Sequence, residues 1–69
     1  MNRVIHIGDI IREELAKDKR SITWLAGKVY HDRSSLCKLL KKPSIDTKLL
    51  LDISKAMKFD FFSCYSKLL

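Results

Sequence analysis

The sequence predicts an all-α domain of five short helices around one core, with no sheet, and three observations carry that prediction. Apolar residues recur at steps of three and four in one segment after another, the spacing that places them on one side of a helix. Residues suited to helix capping stand before these segments, at Ser21, Asp32, Ser44 and Asp60. A chain of 69 residues buries only about 60% of its unfolded surface, so its core must be economical, and locally packed helices meet that demand. Two glycines and one proline leave little room for linkers, so residues 1–69 are predicted to be a single domain, ordered nearly throughout.

Met1–His6 reads as a short lead-in, with too few alternating residues at Val4 and Ile5 to make a strand. The first helix carries Ile7, Ile10, Ile11 and Leu15 on one stripe. Its charges run from Asp9, Glu13 and Glu14 to Lys17, Lys19 and Arg20, the order a helix dipole favours. Gly8 weakens its first turn and blurs its start. Ser21 caps the second helix, which turns Ile22, Leu25, Ala26 and Val29 inward, and Asp32 caps the third, which turns in Leu36, Leu39 and Leu40. After Pro43 a fourth helix begins, with Ser44 favoured as its cap over Asp46, and its stripe is Leu49, Leu50, Ile53, Ala56 and Met57. The last segment opens at Asp60 and spreads its apolar residues over about 160° of helix surface. One small domain does not cover so wide a face. Phe61, Phe62, Tyr65, Leu68 and Leu69 are therefore predicted to form a dimer surface, against the plainer alternative of a greasy terminal helix lying flat on the core.

Charge narrows the choice of partner. The net charge is +6 and the pI about 9.6, a balance that favours a polyanion over an acidic substrate. Between Lys17 and Lys42 stand eight basic residues against two acids, Asp18 and Asp32, so the excess is concentrated rather than spread as a solubilising coat. If Leu36 sets the inward direction of the third helix, then Ser34, Lys38 and Lys41 point outward at about 100° per residue, with Lys42 beside them. Arg33 lies in the first turn of that helix, where unpaired backbone N–H groups favour an anion.

The stretch Ser21, Leu25-Ala26, Val29, Tyr30-His31, Asp32, then Arg33-Ser34-Ser35-Leu36-Cys37-Lys38-Leu39 resembles the helix-turn-helix of the phage-repressor and Cro class, the Xre or lambda repressor-like family. The likeness extends from about Ile7 to Met57. Ala26 matches the small residue that two steeply crossing helices need where their backbones approach, and so is expected to be buried. The resemblance implies a single helix-turn-helix domain that binds double-stranded DNA as a transcriptional regulator, commonly as a homodimer on two half-sites. The helix starting at Arg33 would enter the major groove, with Arg33, Ser34 and Lys38 reading bases and Ser35, Lys41, Lys42 and Lys28 holding the backbone. Trp24 would cover the edge of the core, the stronger reading for a large aromatic in so small a domain, or would turn its indole N–H to a phosphate. His31 would lie at the surface near the DNA. The chain departs from the family at three places. Tyr30 stands where the turn usually has glycine, and at positive φ it would cost about 1 kcal/mol. Ile22 replaces a phosphate-holding glutamine, so that contact is not carried over. The connection after the third helix reads as only Lys41-Lys42-Pro43, shorter than the family's, with the two lysines in place of its loop contacts.

Other functions find less in these residues. No Ser, Cys or His stands beside a base, and there is no glycine-rich phosphate loop, so an enzyme and a small-molecule substrate are not predicted. Cys37, Cys64, His6 and His31 lack metal-ligand spacing, so neither metal nor cofactor is expected. Apolar runs are no longer than Leu49-Leu50-Leu51 and no signal peptide is apparent, which predicts a cytoplasmic protein away from membranes. The alternative function is an antitoxin-like module that grips a toxin or other protein through its aromatic last helix and also binds its own operator. A non-specific nucleic-acid binder is disfavoured because exposed aromatics for stacking on bases are lacking.

Overall fold

A computed structural model describes residues 5–69, and the part of the predicted lead-in over residues 1–4 lies outside them. The described residues form five helices and no strand: α1 Ile7–Lys17, α2 Ile22–Lys28, α3 Arg33–Leu40, α4 Thr47–Met57 and α5 Ser63–Ser66. None of these is long and apolar enough to cross a membrane.

Local chemistry accounts for most of the boundaries. Ser21 Oγ accepts the Trp24 N–H at 3.1 Å, and Asp32 Oδ1 accepts the Ser35 N–H at 2.9 Å, as their sequence positions predict. The start of α1 is set by a residue outside the usual capping set: the His6 ring accepts the Asp9 N–H through Nδ1 at 3.3 Å. The cap of α4 is Asp46, whose carboxylate accepts the Leu49 N–H at 3.3 Å, and not the favoured Ser44. Half-buried Ile45 packs on the core, which delays the helix until the chain has crossed that contact. The connection after α3 consequently runs over residues 41–46, longer than the three residues expected.

Three helices end in the same left-handed closure, and none of the three closures uses glycine. Lys19, Tyr30 and Lys58 have φ of 56°, 59° and 53°. Behind each, a backbone N–H reaches a carbonyl five residues earlier: Arg20 to Leu15 at 2.9 Å, His31 to Ala26 at 3.0 Å, Phe59 to Ser54 at 3.1 Å. The side chain at each left-handed position is strained against the following carbonyl. Tyr30 is 95% exposed and packs on nothing that would offset the strain. Replacing Tyr30 with Gly is expected to stabilise the fold by about 0.5–1 kcal/mol, after allowing for glycine's greater freedom in the unfolded chain, and a thermal melt several degrees higher will show it.

The predicted stripes converge on one core. Ile7, Ile11 and Leu15 of α1, Leu25 and Ala26 of α2, Leu36 and Leu40 of α3, and Leu49, Leu50, Ile53 and Met57 of α4 are buried, while Ile10, Ile22, Leu39 and Ala56 lie partly buried at its edge. Ala26 is 3% exposed, as the tight approach of α2 to α3 requires. Gly8 has a role its sequence position did not disclose. A Cβ there would overlap the Leu40 carbonyl, so α1 lies with its backbone directly on the end of α3.

The C-terminal segment differs from expectation. It is a single turn of helix preceded by a tighter turn, in which Asp60 accepts the Ser63 N–H at 3.3 Å and the Ser63 hydroxyl donates to the Asp60 carbonyl at 2.7 Å. Phe61 is fully buried with its ring centroid 4.6 Å from that of Phe59. Its assignment to a dimer surface is therefore corrected: it is core. The helix expected to begin at Asp60 begins only at Ser63, so Phe61 lies in the turn before α5 and packs into the core from there.

Candidate nucleic-acid interface

The candidate surface is built on α2, the turn at residues 29–32 and α3. Hydrogen bonds from Ser35, its hydroxyl first and its backbone N–H second, hold the Asp32 carboxyl below its ordinary pKa. One of the N–H groups expected to favour an anion at the head of α3 is thus taken by the chain's own carboxylate. The remaining positive character of that end belongs chiefly to the side chain of Arg33.

Arg33, Ser34, Ser35 and Lys38 of α3 are all exposed, as are Lys41 and Lys42 just beyond it and Lys28 at the end of α2. The one-turn spacing of Ser34 and Lys38 places them together on the side of α3 opposite buried Leu36 and Leu40. None of the five cations has an acidic partner. Among the described residues the ion pairs of Lys and Arg are Lys17–Glu14 at 3.3 Å and Lys48–Asp52 at 2.9 Å, both outside this stretch. A surface that keeps its cations unneutralised concentrates positive potential there.

The position of this surface is fixed from behind by α1. His6 Nδ1 accepts a hydrogen bond, so Nε2 carries the proton and donates to the Lys41 carbonyl at 3.0 Å. The Ile7 N–H donates to the Pro43 carbonyl at 3.2 Å. Together with the close approach at Gly8, these bonds hold the Lys41–Pro43 segment against α1 and set where Lys41 and Lys42 emerge. Sequence reasoning missed His6 because histidine is not among the residues that mark helix starts.

Trp24 is half-buried against the core, the packing role favoured for it. Its outer side carries cations: the Arg20 guanidinium carbon lies 4.1 Å from the ring centroid and Lys28 Nζ 5.7 Å. The i, i+4, i+8 spacing of Arg20, Trp24 and Lys28 was legible, but their stacking was not anticipated. His31 is exposed. Of the apolar residues assigned to a dimer surface, Phe62 and Tyr65 are half-buried, while Leu68 and Leu69 are 52% and 106% exposed. Cys37 and Cys64 are free thiols. No cavity and no metal-holding group of His, Cys, Asp and Glu forms among the described residues.

Comparison with family models, with curated proteins and with solved structures finds no match for this chain.

Proposed function

We propose that this protein is a small regulator of transcription that binds double-stranded DNA through a helix-turn-helix of the lambda repressor-like kind, formed by α2 and α3. The observation that carries the reading is the exposed, unneutralised face of Arg33, Ser34, Lys38, Lys41 and Lys42 on a helix whose opposite side is fully buried. In this reading α3 enters the major groove with Arg33, Ser34 and Lys38 toward the bases. Lys41 and Lys42 leave the groove toward one strand and Lys28 holds a phosphate, whereas the Ser35 donors are already taken by the Asp32 carboxylate. The cytoplasm, where Cys37 and Cys64 remain thiols, is its compartment.

A salt series on labelled duplexes tests this. The wild-type chain is expected to bind random duplex at low salt, with affinity falling linearly on a logarithmic salt scale. Lys42→Ala is expected to weaken all sequences about equally and to reduce that slope by about one counterion per monomer. An absence of duplex binding at low salt rejects the reading.

Exposed Leu68 and Leu69, with Leu51 at 40%, support a protein partner as well, and the occupant proposed is a second copy of this chain. A two-fold pair would present its α3 helices about 34 Å apart, one turn of B-DNA. Sedimentation at rising concentration is expected to show a dimer that Leu68→Ser converts to monomer. A wild-type chain that stays monomeric at all concentrations, off DNA and on it, moves the second reading, a toxin-binding or other protein-binding module, ahead for this surface.

A further inference from the structure

Gly27 is the second-to-last residue of α2, in its final turn, where glycine is still a weaker helix former than alanine. Nothing inside the molecule accounts for it. Its φ is not positive, and a Cβ added there would meet nothing within 4 Å beyond its own helix. Gly8 is the contrast, because its missing Cβ makes way for the Leu40 carbonyl. The space above Gly27 is open to something outside the chain.

Its neighbours say what that something is. With Leu25 and Ala26 inward, a step of about 100° per residue turns Thr23 and Gly27 outward, with Trp24 and Lys28 beside them. The Arg20 guanidinium rests on the Trp24 ring and Lys28 approaches the same ring. Neither cation has a carboxylate within 4.0 Å among the described residues. Stacking holds the guanidinium before any ligand arrives, so less side-chain entropy is lost when its free N–H edge grips an anion. We propose that this outward face of α2 is a phosphodiester contact site, where Arg20, Lys28 and the Thr23 hydroxyl bind a DNA backbone that lies against the bare helix at Gly27.

A carboxylate-bearing peptide shares part of this chemistry. The nucleic-acid backbone is favoured because the face adjoins the unneutralised cations of α3, and an evenly charged polyanion can engage both. The inference rests on the proposed DNA reading and extends its contacts from α3 to Arg20 and Trp24.

Trp24 is the single tryptophan, so its emission reports this face directly. Titration of the full chain with random-sequence duplex at low salt is expected to change that emission as binding saturates. Arg20→Ala is expected to reduce the salt slope by about 0.9. Gly27→Leu is expected to raise the melting temperature yet weaken duplex binding by about three- to tenfold. Opposite signs for stability and binding cannot arise from a merely structural position. Duplex binding with unchanged Trp24 emission and wild-type affinity in both variants overturns the site while leaving the α3 reading intact. A response of Trp24 to polyglutamate but not to duplex also overturns it, in favour of an acidic peptide. Failure of the wild-type chain to bind duplex at all removes both.

Discussion

Gly8→Ala is expected to destabilise the fold by about 3 kcal/mol, at the upper end for overpacking, because the added methyl meets backbone at the Leu40 carbonyl and not a side chain that can rotate away. In a domain of this size that loss lowers the melting temperature by about 12–24 °C. The same exchange at the other glycine provides the control. Gly27→Ala adds its methyl to open space and is expected to stabilise by about 0.5–1 kcal/mol through helix propensity alone. Thermal unfolding of the two variants should therefore move in opposite directions. Equal shifts would show that α1 does not lie on the end of α3 as described. Gly8→Ala should also displace the Lys41–Pro43 segment, since the His6 bond to the Lys41 carbonyl and the Ile7 bond to the Pro43 carbonyl depend on the same approach.

Arg33→Ala is expected to cost about 1–3 kcal/mol in binding to the best DNA site and to relax preference at one base pair. Arg33 opens α3, is exposed, and has no acidic partner among the described residues, so its guanidinium is available for the bidentate pairing with guanine that arginine favours. Selection of binding sites from a random pool, with wild type and variant in parallel, measures the effect. If the variant loses the same factor on selected and random duplexes, Arg33 holds the backbone and base reading passes to Ser34 and Lys38. The comparison with Lys42→Ala then separates reading from holding, because that change is expected to act on every sequence alike.

The helices and their inward faces were legible in the sequence because both follow from local rules. The apolar spacing from Ile7 to Met57 names nearly the whole core, and Ser21 and Asp32 mark the starts of α2 and α3 by hydrogen bonds that span three residues. The outward residues of α3 follow from the same periodicity, since knowing that Leu36 is buried fixes the direction of Ser34 and Lys38. The strained turn at Tyr30 was foreseen only through the resemblance, because Tyr30 stands where that family's turn has glycine; the same closures at Lys19 and Lys58 were not. What the sequence could not disclose are features set by contacts between distant segments. The need for glycine at position 8 comes from a carbonyl in α3, the anchoring of Lys41 from a histidine in front of α1, and the start of α4 from where Ile45 meets the core. Phe61 was placed on the surface because Asp60 reads as the start of a helix, whereas α5 begins only at Ser63 and Phe61 lies in the turn before it, buried in the core. Periodicity fixes which way a side chain points only while the backbone keeps its helix; where the backbone turns, packing between segments far apart in sequence decides, and only the tertiary structure contains it.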